Sequence, residues 1–230
     1  MSTTRSRSRS ESGQAMLEFA MVCISLTFLF AGAFTIGAML NKALQVSNIT
    51  RSAAVLMVRS VTDPSSNLNL ADTVNQRILI REANGLGMAS DSSFDPSTTG
   101  NGAIFLSQIV LVGPVQCASG VTSGSAPWSA GNCPNYGSYA FEYYVAIGNT
   151  TRWASVFGVP PAADVNSDGT ISATHIATDT KNVVTTATMT SVITLASGQY
   201  SLIAETYADI SGISVFSVFK PPIIYFRTLT

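Results

Sequence analysis

Hydrophobic positions change their pattern twice along this chain. Phe19–Leu40 is apolar on every side, 22 residues without a charge. A helix of that length covers about 33 Å, enough to cross a hydrocarbon core of ~30 Å. Beyond it the apolar positions thin to a stripe of Leu40, Ala43, Leu44, Val46, Ile49, Ala53, Leu56 and Met57, with Arg51 and Arg59 off the stripe. Three- and four-residue spacing predicts that the same helix runs on through 41–63 with one face packed against a domain. It is expected to stop at Asp63-Pro64, because proline disfavours helix in the residue before it. Leu70–Ala83 reads as a second amphipathic helix closed by the glycines of Asn84-Gly85-Leu86-Gly87, and 88–102 as loop.

From Ala103 the period becomes two. Tyr139, Phe141, Tyr143, Val145 and Ile147 alternate with Ala140, Glu142, Tyr144 and Ala146, the pattern of a half-buried strand. Further strands are expected at Ile104–Val112, Thr151–Phe157, Val183–Leu195, Tyr200–Tyr207 and Ile223–Leu229. The aromatic residues at this spacing suit a core better than a binding face. The fold class is therefore α+β: a long N-terminal helix extended into a domain, 64–230, that holds a second helix and an antiparallel sheet.

Charge gives the apolar helix a direction. Arg5, Arg7 and Arg9 precede it in a Ser/Thr-rich leader, while only Lys42 and Arg51 lie close beyond it. The positive-inside bias then places the N-terminus in the cytoplasm and 41–230 outside. Beyond residue 40 there are nine basic and eleven acidic residues, which excludes a strongly basic nucleic-acid footprint. A 46% hydrophobic share with 11% charged residues argues against disorder.

One carboxylate breaks the N-terminal pattern. Glu18 stands at the head of the apolar run, five residues after Gly13 in Gly13-Gln14-Ala15-Met16-Leu17-Glu18-Phe19. A charge at a bilayer centre costs about 2.5–3.5 kcal/mol on insertion scales, and less near the interface, so such a residue is functional by default. If the leader were removed after Gly13, Gln14 would carry a new ammonium. A neighbouring subunit's ammonium is a natural partner for Glu18, since a buried charge needs pairing.

A basic leader ending in Gly, Glu five residues on, Phe following and a long apolar helix resemble class III and class IV prepilins. The run from Gly13 to Val22 resembles the TadE-like pseudopilins of the tight-adherence (Flp/Tad) pilus system, and Gln45–Ala54 is similar to that family's Asn/Ala/Arg-rich helix after the membrane span. The resemblance covers about the first 60 residues. It implies a leader at 1–13, cleavage after Gly13 by a prepilin peptidase, a transmembrane helix at 14–40, and assembly with other pilin subunits through Glu18 and Phe19 at an inner-membrane pilus platform. A pilin-like architecture, and a role in adhesion or secretion, are implied with it. The polar Gln14 and the region 86–198 depart from any family pattern. Two other readings of the N-terminus stay open: a plain anchor, and a secretory signal cut near Ala31-Gly32-Ala33.

Of the three cysteines, Cys23 lies in the apolar helix, where it reads as a small buried residue. Cys117 and Cys133 flank a Gly/Ser/Pro-rich loop carrying Trp128, and an oxidising periplasm would let them pair. Asp164-Val165-Asn166-Ser167-Asp168-Gly169-Thr170-Ile171 resembles the first half of an EF-hand or dockerin-type calcium loop. Asp164, Asn166 and Asp168 would supply the oxygens for Ca2+. The twelfth position is His175 where a bidentate acid belongs, Asp179 lies further on, and an Asx-rich turn explains the same residues. The loop is expected at the surface, away from the membrane.

Catalytic constellations are absent from the sequence. There is a single histidine, with no HExxH, no GxSxG and no phosphate-binding glycine loop. Two function classes result: a structural pseudopilin, and a membrane-anchored periplasmic binding module, calcium-dependent if the Asp164 loop holds metal.

Overall fold

The first helix, α1 (Arg7–Thr62), is unbroken for 56 residues, about 84 Å at 1.5 Å per residue. The computed structural model describes residues 7–62, 68–90, 92–122, 124–210 and 223–230, with the side chains of 7–12 and 62 excepted. The first six residues of the leader, the Asp63-Pro64 stop and the Pro221-Pro222 pair lie outside them. Val46, Ile49, Thr50, Ala53, Ala54 and Met57 are buried, a line at three- and four-residue spacing that faces the domain. Leu40 and Leu44 were expected on that line but are 61% and 65% exposed; Thr50 and Ala54 take the packed positions instead. Their smallness lets a sheet approach the helix closely.

The second helix, α2 (Thr73–Glu82), starts three residues later than its pattern suggests. The Asp72 carboxylate accepts from Val74 N at 3.0 Å as N-cap. Gln76 Nε2 donates to Leu70 O at 3.0 Å, which holds the preceding residues as a turn. The turn after α2 is tied to α1: Lys42 Nζ donates to Gly85 O and Gln45 Nε2 to Asn84 O, while Ser52 Oγ donates to Glu82 Oε1.

The sheet is antiparallel with five strands. In chain order they are β1 (Gly102–Leu111), β2 (Tyr139–Gly148), β3 (Val183–Val184), β4 (Tyr200–Asp209) and β5 (Ile223–Leu229). They lie side by side as β3-β2-β1-β4-β5. One face packs against α1 and α2 through Ile104, Leu106, Tyr143, Val145, Ile147, Leu202 and Ala204. The other is covered by short helices α3 (Pro114–Gly120), α4 (Ala173–Thr178) and α5 (Thr186–Thr190) and their loops, over Phe105, Ile109, Phe141, Tyr144 and Ile203. β2 is thus covered on both faces rather than half-buried.

One expected strand is a turn, and another is cut to two residues. At 151–157, Asn149 Oδ1 accepts from Thr151 Oγ1 and Arg152 N, folding the segment into a turn. At 183–195 only Val183 and Val184 pair, with Ala140 and Tyr139. Tyr139 is the first residue of β2, so a longer β3 would have no partner, and the chain coils into α5 instead.

The 149–158 turn is fixed by Glu205 of β4, whose side chain is fully buried. It accepts from Ser155 Oγ, from Val156 N at 3.2 Å and from the Tyr225 hydroxyl at 2.8 Å. Its negative charge, after burial itself, pushes the Tyr207 hydroxyl up to about 12. Trp153 stacks on Tyr207 at 5.6 Å and Tyr207 meets Tyr225 at 4.8 Å, closing an aromatic shell around the acid. Glu205→Ala leaves those donors buried without an acceptor, each costing about 1–3 kcal/mol. The variant is expected to melt well below the wild type, and Glu205→Gln in between, as read by near-ultraviolet circular dichroism of the detergent-solubilised chain.

Candidate functional site

α1 leaves the domain as a bare apolar rod. Phe19, Phe28, Phe30 and Phe34 are 71%, 61%, 67% and 70% exposed, and the helix is long and apolar enough to cross a membrane. Its polar atoms are spent internally. Ser25 Oγ donates to Met21 O, Thr27 Oγ1 to Cys23 O and Thr35 Oγ1 to Ala31 O, at 3.0, 2.8 and 2.8 Å. Those are the only hydroxyl side chains between 19 and 40. Backbone and hydroxyls alike then ask nothing of a lipid tail. Cys23 is free and half-buried.

At the head of this rod Gly13, Gln14, Glu18 and Phe19 share one helix. Nothing lies within 4 Å of where a Cβ on Gly13 would stand, so the backbone there is open to approach. Gln14 Nε2 donates to Glu18 Oε1 at 3.2 Å across one turn. The carboxylate thus has an amide partner within its own chain, beside which the ammonium expected from the sequence would be a second one.

Cys117 and Cys133 form a disulfide with Cα atoms 5.8 Å apart, and both are fully buried. It ties α3 to the loop that carries Trp128. α3 lies hard against α4, since a Cβ on Gly120 would stand 2.1 Å from Ala173 O. Asn135 Nδ2 adds bonds to Ile176 O at 2.8 Å and Asp179 O at 2.9 Å.

The Asp164–Ile171 segment closes as a tight turn on β2. Tyr144 N donates to Gly169 O and Ile171 N to Glu142 O. Gly169 has φ +87° and packs so closely that a Cβ would stand 2.9 Å from Tyr143 Cε2. Asn166, Ser167 and Asp168 are exposed, whereas Asp164 and Ile171 are buried, so the expectation of a surface loop holds for its tip alone.

The three expected calcium oxygens serve different neighbours. Asp168 Oδ1 accepts from Thr170 N at 3.0 Å and Thr170 Oγ1 at 2.6 Å, bonds that hold its carboxyl below the usual range. Asn166 Nδ2 donates to Thr170 Oγ1. Asp164 faces His175 Nδ1 at 3.4 Å. Burial, then the Asp179 carboxyl beside it, push the Asp164 acid up. Asp179 therefore comes to Asp164 from further along the chain, but among the described residues no three His, Cys, Asp or Glu are grouped to hold a metal ion.

Glu142 and its neighbours went unnoticed in the sequence. Between Gln108 and Ile109 the β1–β2 ladder shifts, with Gln108 opposite Tyr143 and Ile109 opposite Phe141, leaving Glu142 as an extra residue in a bulge. Gln108 Nε2 donates to Glu142 Oε2 at 2.6 Å. Both line a cleft of about 630 Å³ between the last turn of α1 and the Asp168 turn. The strand alternation placed Glu142 on an ordinary polar position, and nothing in the pattern marks a bulge.

No family model, curated protein or solved structure matches this chain.

The turn geometry yields a test of the metal reading. Melting curves of the full chain in excess calcium and in chelator are expected to coincide, because Asp168 already satisfies Thr170. A calcium-dependent rise that Asp164→Asn or Asp168→Asn removes would reinstate the site.

Proposed function

We propose that the chain is a minor pilin or pseudopilin of a Flp/Tad-type pilus, a structural or assembly-priming subunit rather than an enzyme. The observation that carries the reading is one acid, Glu18, at the head of the uncharged stretch Phe19–Leu40 of a helix that leaves its domain bare. Such a helix needs an apolar surrounding, lipid first and then the helices of other pilin subunits. Ile36, Leu40 and Leu44 support this, forming an exposed i, i+4 row that runs past the expected membrane boundary.

In this reading the chain enters the bacterial inner membrane once, N-terminus cytoplasmic and domain periplasmic. A prepilin peptidase cuts after Gly13. The Gln14 amide already bonds Glu18; cleavage adds an ammonium on the same residue, giving the carboxylate of an adjoining subunit a charged partner as the helix is drawn into the assembly platform. The pairing offsets the cost of carrying Glu18 into an apolar setting. A single-pass anchor holding a periplasmic binding module is the second reading, and the cleft beside Glu142 favours it.

N-terminal sequencing of the mature protein separates them. Under the pilin reading the chain begins at Gln14, and Gly13→Val accumulates an unprocessed membrane precursor. An intact Met1 or a start at Phe34 overturns it. Glu18→Ala is expected to be processed yet excluded from pili, with Glu18→Asp partly active in an assay of surface pili; normal piliation in the alanine variant would reduce Glu18 to a passive interfacial charge.

A further inference from the structure

We propose that the cleft beside the Glu142 bulge binds a small hydroxylated amine of the amino-sugar class, whether or not the chain enters a filament. The cleft is about 630 Å³, within the span of small-molecule sites. Ser60, Asn69, Gln108, Glu142, Tyr143 and Asp168 bring its polar groups, and Val61, Leu68 and Ile171 its apolar wall.

The charge of this lining is lopsided. Among its described residues two are carboxylates, Glu142 and Asp168, and none is Lys, Arg or His. Burial pushes the Glu142 carboxyl up, and the bond from Gln108 only partly opposes it. An acid in that state has no cation among the described residues of its cleft, so a ligand cation would add affinity. A metal ion is disfavoured as the cation, since among the described residues no suitable ligand group of three exists. An ammonium needs only acceptors, which Glu142 Oε1 and Asp168 Oδ2, the oxygens not bonded by Gln108 and Thr170, supply.

Tyr143 is the second, independent mark. Its residue is 5% exposed, and its hydroxyl is buried with no well-aligned hydrogen bond, Ser60 being the side chain beside it. Burial pushes the hydroxyl up, the Ser60 side chain opposes this, and the Asp168 charge adds to the rise. A buried donor without a partner costs about as much as a lost bond; a ligand hydroxyl would satisfy it. Asn69 and Ser60 add an amide and a hydroxyl of the kind that orient a polyol. A ring bearing one ammonium and several hydroxyls meets all of these requirements together, which a simple alkylamine or a neutral sugar does not.

The test is calorimetric titration of the detergent-solubilised full chain with D-glucosamine at pH 7, alongside N-acetylglucosamine, which keeps the ring and loses the charge. Glucosamine is expected to bind saturably, with N-acetylglucosamine and the Glu142→Gln and Asp168→Asn variants each weaker by about tenfold or more, the loss of one charge-assisted bond. Tyr143→Phe should weaken binding by about three- to tenfold. Lowering the pH through the raised Glu142 titration should weaken it too, because the cation favours the carboxylate.

Stability separates a lost ligand contact from a damaged fold. A carboxyl with a raised pKa in the folded state destabilises that state above its pKa and not below it. Glu142→Gln removes the burden, so it should melt at or above the wild-type temperature at pH 7, the difference closing in acid. Binding lost at unchanged or higher melting temperature supports the site. Absence of saturable glucosamine binding, equal binding of the acetylated sugar, or wild-type affinity in both carboxylate variants overturns it.

Discussion

Close contact between the outer half of α1 and the sheet is the constraint on which the rest of the domain depends. Thr50, Ala53 and Ala54 are small and buried, and Val46, Ile49 and Met57 flank them. Larger residues would hold the sheet away and leave Ile104, Leu106, Tyr143 and Val145 without cover. Because these contacts lie on one continuous helix, the domain is fixed rigidly to the membrane rod instead of hanging on a linker. The bonds from Lys42, Gln45 and Ser52 to the α2 segment add orientation to that contact. Thr50 Oγ1 returns to Val46 O at 2.8 Å, so this buried hydroxyl spends its donor within the helix.

How much could be read from residues alone depended on whether pattern or partner decides a segment. The apolar run, the helix that continues it and the strands at 102–111, 139–148, 200–209 and 223–229 follow from periodicity, which is a local property. The Thr/Val-rich segment 183–195 has the same local signal, yet β2 begins at Tyr139 and offers it only two partners. The segment 151–157 is captured by Asn149 and by a carboxylate some 50 residues away at Glu205. No window along the chain contains that information. The Cys117–Cys133 pair was legible because they are the two cysteines outside the apolar helix, whereas a calcium loop depends on where side chains converge, and Thr170 took Asp168 Oδ1 first.

The same distinction explains the two acids that matter in the domain. Glu205 and Glu142 each sit within strands that read as ordinary alternating sequence. Glu205 is fully buried with three donors, so its charge is spent on holding a turn and two strands together. Glu142 is held by Gln108 and by no cation among the described residues of its cleft, because a one-residue bulge moved it out of the ladder. Beyond the bulge Tyr143, Val145 and Ile147 turn to the α1 face while Tyr139 and Phe141 remain on the other. One extra residue therefore both covers the strand on two sides and opens an acidic cleft.

Position along α1 links the cleft to the membrane end. Ser60 and Val61, which line it, lie twenty residues beyond Leu40, about 30 Å further along the same rod at 1.5 Å per residue. A continuous helix transmits displacement along its axis without a hinge, and among the described residues no glycine lies between Gly37 and the end of α1. The cleft is consequently held at a fixed distance from the apolar stretch of α1. Under the proposed pilin reading, drawing α1 outward would raise the cleft by the same distance as the helix moves, since the two are joined rigidly.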